Sequence, residues 1–77
     1  MSTKKVLLFG LGFFQRRLLK DIAEERPCIV VDIDGNLVER VVEEYNNVEG
    51  IEGEASSIVT WKKINLEDIS HIVSSLQ

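Results

Sequence analysis

Residues that build metal and redox centres are nearly missing from this chain. It has one cysteine, Cys28, and one histidine, His71, in 77 residues. A single cysteine excludes an intrachain disulfide and fits a reducing compartment, so the expected location is the cytoplasm. One cysteine and one histidine cannot supply a zinc site of the usual kind. His71 falls within an expected strand, where a packed or edge residue is the commoner role than a general base, and a catalytic triad has no other base to use. One proline and five glycines leave no low-complexity linker. No apolar run approaches the roughly 20 residues of a membrane span. The run after the positive start at Lys4 and Lys5 is too short for a signal peptide, so any membrane link is expected through a partner. The only basic clusters are pairs (Lys4 with Lys5, Arg16 with Arg17, Lys62 with Lys63), and the net charge is -4. Nucleic acid is therefore not an expected ligand, because Lys and Arg supply most of the affinity for phosphate backbones.

What is present is the composition of an ordinary globular domain, 44% hydrophobic and 29% charged. One domain covering residues 1–77 is the most the length allows. A chain this short buries only about 60% of its unfolded surface and is marginally stable.

Hydrophobic period divides the chain into alternating elements. Val6, Leu7, Leu8 and Phe9 form a short continuous apolar run, the pattern of a strand buried on both faces. Leu18, Leu19, Ile22 and Ala23 then recur at helical spacing, with Arg16, Arg17, Lys20, Glu24 and Glu25 opposite, and Pro27 closes the helix. Cys28, Ile29, Val30 and Val31 make a second buried strand. Leu37, Val38, Val41, Val42 and Tyr45 form the stripe of a second helix that Asn46 and Asn47 end. Residues 48–51 read as a weak edge strand with interleaved charge. Ser56 or Ser57 is placed to cap a short third helix carrying Ile58, Trp61 and Ile64. A turn over 65–68 leads to a fourth strand over 69–75. The expected fold is therefore α/β, βαβαβαβ, with a parallel sheet in the order 3-2-1-4 and helices on both faces. This is a Rossmann-like unit cut after its fourth strand. Strand four is then an open edge, expected to be covered by a partner chain or by sequence that follows.

Between the first strand and the first helix stand Gly10, Leu11, Gly12, Phe13, Phe14 and Gln15. The first glycine permits a sharp turn off the strand. The second has no side chain, so a pyrophosphate can approach the backbone, and the helix offers unpaired N–H groups and the positive end of its dipole. A third glycine is usual at position 15, where this chain has Gln15. Two readings stand side by side: a phosphate cradle, or a structural turn in a unit that has lost its ligand. Phe13 and Phe14 are read either as part of the turn's site or as core residues beside the strand. Arg16 either reaches a phosphate or is a solvated helix charge.

Asp32 ends the second strand 22 positions after Gly10. That is close to the roughly 20-residue spacing of the acid that holds a ribose through its 2′- and 3′-hydroxyls. An acid there repels a 2′-phosphate and favours NAD or an unphosphorylated adenosine ribose. Asp34 is read as the N-cap of the second helix. The same stretch also resembles the first motif of haloacid-dehalogenase-type phosphatases, with Asp32 as nucleophile, Asp34 as general acid and Ser74 or Ser75 in the second motif. Asn36 stands where that motif has a threonine, and the glycine turn has no part in it.

Taken together, the blocks resemble the nucleotide-binding N-terminal domain of potassium-transport regulators, the KTN or RCK-N domain. The carriers are residues 6–12 with Arg17 and Leu18; Val31, Asp32, Ile33 and Asp34 with Leu37, Val38, Glu39 and Arg40; the 47–56 segment around Gly50, Ile51, Gly53, Glu54, Ala55 and Ser56; and Leu66, Glu67 and Asp68. The resemblance implies a regulatory adenine-nucleotide sensor, not an enzyme, that binds NAD(H) or ADP/ATP. Its implied partner is a membrane potassium channel or transporter subunit, or a downstream domain, and it is expected to form a homo-oligomer. It further implies that Gly10 and Gly12 lie under the phosphates, that Asp32 holds the ribose, and that Ile33 with Gly53, Glu54 and Ala55 borders the adenine. Phe13, Phe14, Gln15, Asp34 and Ser74 complete the candidate site. A ligand-free interaction unit pairing through the open sheet edge is the alternative of a different class.

Overall fold

The computed structural model describes residues 4–74. Its elements are β1 (Lys5–Phe9), α1 (Phe13–Ala23), β2 (Cys28–Asp32), α2 (Gly35–Glu44), β3 (Val48–Glu52), α3 (Ile58–Lys62), a 3₁₀ turn (Leu66–Asp68) and β4 (Ile69–Ser74). All strand pairs are parallel, and the sheet order is β3-β2-β1-β4, as the element pattern requires. The expected end of the last strand at Ser75 lies outside the described residues.

The apolar runs become the two central strands because each of their side chains meets a packed layer. One layer joins Val6, Leu8, Cys28 and Val30 of the sheet to Leu11, to Leu19 and Ala23 of α1, and to Val38 and Val41 of α2. The other joins Leu7, Phe9, Ile29 and Val31 to Ile64, with Trp61, Ile51 and Ala55 partly buried beside them. Each fully buried Leu or Val contributes about 1.5–3 kcal/mol. Helices thus lie on both faces, but unequally: α1 and α2 cover one, and the short α3 covers part of the other. Ile58 does not join the stripe expected of α3. It is exposed, and Thr60 is buried instead, because α3 presents Thr60 to Gly53. Ser57 occupies the N-cap of α3 but forms no side-chain capping bond.

Cys28 is a buried free thiol, and burial pushes its pKa up, which keeps it neutral like the apolar residues around it. Asn47 ties two connections together, its Nδ2 donating to the carbonyls of Ala23 and Arg26. Among the described residues, no helix is long and apolar enough to cross a membrane.

Gly50 shows how closely α2 seats on β3. A Cβ there would run into the methyl groups of Val38 and Val42. Both neighbours are β-branched and stiff, so they cannot swing aside. Gly50→Ala is therefore expected to cost about 1–3 kcal/mol, the usual range for overpacking. A urea melt in which the midpoint stays unchanged would contradict this packing.

Candidate functional site

The carboxyl ends of β1, β2 and β3 rise together along one edge of the sheet, and the connections leaving them build the site. Gly10 leaves β1 with φ at 91°, a left-handed conformation that only glycine adopts readily. Its N–H donates to the Val31 carbonyl at 2.8 Å, which fastens the turn to β2. Leu11 then points inward and is 1% exposed. Gly12 is the N-cap of α1 in extended conformation and carries no side-chain cap. A Cβ on Gly12 would meet nothing within 4 Å. The open space there is what a ligand group approaching the backbone requires.

Helical bonding in α1 begins with Arg16, whose N–H donates to the Gly12 carbonyl at 3.0 Å. The N–H groups before it have no partner within the helix. No acidic residue lies in the first turn of α1. The dipole of the 11-residue helix adds about half a positive charge at this end, which favours an anion.

Asp32, partly buried at the end of β2, reaches across to the same turn. Its Oδ2 accepts from the Leu11 N–H at 2.7 Å, and its Oδ1 accepts from the Asp34 N–H at 2.9 Å. A carboxylate has about four lone-pair directions. The two backbone bonds hold the group in place and leave capacity for the hydroxyls of a ligand. The Asp32 carbonyl accepts from the Gly53 N–H at 3.0 Å, so the loop after β3 is pinned to the same point.

A hollow of about 260 Å³ opens between these parts, lined by Phe9, Gly10, Val31, Asp32, Ile33, Gly53 and Ala55. Ile33, 68% exposed, forms an apolar wall. Trp61 buttresses the opposite rim. Its ring lies 5.0 Å from that of Phe9, and its Nε1–H donates to the Ala55 carbonyl at 2.6 Å. Five of the sequence-derived candidates thus converge: Gly10, Asp32, Ile33, Gly53 and Ala55. Gly12 stands beside them at the head of α1.

The remaining candidates are placed otherwise. Phe13 and Phe14 are not core residues. They are 67% and 85% exposed, stacked edge to face with ring centres 6.2 Å apart, because the first turn of α1 directs them away from the sheet. They border a wider, shallow hollow of about 720 Å³ over the outer side of α1, together with Arg16, Arg17 and Tyr45. Gln15 is buried, with its amide on the ends of two strands. Asp34 is the N-cap of α2: its Oδ1 accepts from the N–H groups of Asn36 and Leu37. Glu54 is exposed and does not line the hollow. Ser74 lies opposite Phe9 on β4, so β1 separates it from Asp32 by two strand spacings, about 10 Å.

That separation, and the commitment of Asp34 to its helix, leave the phosphatase reading without support. Ser75, its other serine, lies outside the described residues. His71 is exposed on β4, its Nδ1 3.0 Å from the Ser70 hydroxyl.

Two contributors escaped sequence reasoning. Leu11 anchors the turn that the glycines only permit, and an apolar residue between two glycines was the available signal. The Trp61 indole bond to Ala55 had none, since a tryptophan at helical spacing reads simply as core.

Comparison with known proteins agrees with the four blocks read in the sequence. A family model described as the TrkA-N domain matches residues 6–77. No curated protein and no solved structure matches the chain.

Proposed function

The chain belongs to the TrkA-N domain family, the N-terminal nucleotide-binding domain of potassium-transport regulators, and on that premise we propose that it is an adenine-nucleotide sensor. The ligand is NAD(H) or ADP/ATP. Its phosphates sit over Gly12 and the first turn of α1. Asp32 takes the ribose hydroxyls, and the adenine lies between Ile33 and the Gly53–Ala55 rim. Occupancy is passed to a membrane potassium channel or transporter subunit, or to a downstream domain, on the cytoplasmic side. The role is regulatory, with no reaction catalysed.

The observation that carries this reading is the coincidence of three things at one strand edge. These are an open space over Gly12, a helix start with unpaired amides, and a carboxylate held by backbone bonds beside a 260 Å³ hollow. A structural turn without a ligand has no need of the open space.

A thermal-shift titration with NADH, NAD, ADP, ATP and AMP tests it. A ligand at one hundred times its Kd stabilises the fold by about 2.7 kcal/mol. In a domain of this size each kcal/mol moves Tm by about 4–8 °C. A shift of about 10 °C or more is expected, and no shift at millimolar nucleotide rejects the sensor.

Pairing of two copies is the second part of the reading. Among the described residues β4 is an outer strand of the sheet, and Ile72 on it is 54% exposed. Exposed strand edges invite pairing. A dimer that forms with concentration and ignores every nucleotide would favour a pure interaction unit over a sensor.

A further inference from the structure

Beside the hollow, the junction between the carboxyl ends of β1 and β4 is occupied by Gln15. Gln15 lies in the first turn of α1 but turns inward and is 4% exposed. Its Nε2 donates to the Phe9 carbonyl and to the Val73 carbonyl, both at 3.2 Å. Phe9 is the last residue of β1 and Val73 the penultimate residue of β4, so the amide bridges the carboxyl ends of two neighbouring strands. An amide nitrogen has two protons, and both are used here.

In a sheet of this order all strands run parallel, and it is the order of strand addition that reverses between β1 and β4. A dinucleotide lies across the crevice at that point, one half on each side. The hollow of this protein is built from β1, β2 and the segments after β2 and β3, and no residue of β4 lines it. Its 260 Å³ falls short of the roughly 300–1,000 Å³ typical of pockets for drug-sized ligands. Over Gly12, by contrast, the backbone is open.

Resting on the proposed adenine-nucleotide site, we infer that Gln15 makes the protein selective for the nucleoside-diphosphate class, with ADP or ATP the ligand and the second nucleoside of a dinucleotide gaining no contacts. Glycine at this position would leave the crevice between β1 and β4 unfilled. Glutamine fills it and uses its polar atoms to knit the strands, so a nicotinamide ribose finds neither room nor exposed carbonyls there.

The test is a competition titration of the full chain with ADP and NADH, followed by the Gln15→Gly variant. In the wild-type protein NADH is expected to bind no tighter than ADP, because only the shared adenosine-diphosphate half is held. In Gln15→Gly the ratio is expected to move toward NADH by about tenfold, equivalent to about 1.4 kcal/mol. If the glycine variant does not fold, Gln15→Ala keeps a helix former at the position and removes the same amide. NADH binding tighter than ADP in the wild type overturns the selectivity but leaves the sensor standing. A ratio unchanged by the substitution overturns the role of Gln15. Absence of binding by any nucleotide overturns both.

Discussion

Asp32→Ala is expected to erase the nucleotide-induced rise in Tm and to weaken the fold at the same time. The two effects have one origin. The carboxylate accepts from the N–H groups of Leu11 and Asp34, so it sets the path of the glycine turn as well as offering oxygens to a ribose. Removing it strands the Leu11 amide in a partly buried place. An unsatisfied donor of that kind costs about 1–3 kcal/mol. Stability of roughly 0.05–0.15 kcal/mol per residue gives this chain a total of about 4–12 kcal/mol, so the variant folds but melts earlier. The ligand effect is read as the difference in Tm with and without nucleotide, which separates it from the lower baseline. Asp32→Asn retains an acceptor for one backbone amide while setting an N–H₂ group against another donor, and it should fall between the two. A nucleotide shift of undiminished size in Asp32→Ala would remove this residue from the site.

Leu11→Ala is expected to cost about 2–5 kcal/mol, the range for deleting a buried leucine side chain. Leu11 is 1% exposed and packs with Val6, Leu8, Leu19 and Val30. With about 4–8 °C lost per kcal/mol, Tm should fall by at least 8 °C. The turn would loosen as well, since Leu11 is the only apolar anchor between Gly10 and Gly12. Phe14→Ala is the control. Although Phe14 is the larger side chain, it is 85% exposed, and its loss should stay within about 0.5 kcal/mol. Equal losses in chemical denaturation for the two variants would contradict the orientation of the turn. The comparison is informative because side-chain size alone ranks the two residues the wrong way round.

Most of the architecture is legible in local pattern. Val6 to Phe9 and Cys28 to Val31 are apolar at every position, which only a strand covered on both faces tolerates. The helical stripe of α1 runs between them and that of α2 follows the second, each at the spacing a parallel crossover needs. From those features the parallel sheet, its order and the edge that gathers the site follow. The acid at Asp32 and the glycines at 10 and 12 are legible for a similar reason: each is a short-range requirement, of strand end, turn and helix start. What stayed open or went wrong sits where local pattern is ambiguous. Phe13, Phe14 and Ile58 are apolar and next to core elements, yet all three are exposed, which decides against the core reading left open for the two phenylalanines and corrects the stripe expected to carry Ile58. Which way a helix turns its first residues depends on its angle to the sheet, and no residue within the helix specifies that angle.

The chain's own order of residues determined the elements, the sheet they form and the family to which the protein belongs, because hydrophobic period and turn chemistry act between neighbours. Only the tertiary structure decided the use of the polar groups. It gave Asp34 to a helix start, drew Asp32 onto the backbone of the glycine turn, and sent the Gln15 amide to carbonyls on β1 and β4, one of them 58 positions away along the chain. A buried hydrogen bond takes whatever partner the packed chain brings within about 3 Å, and separation along the sequence carries no record of that distance.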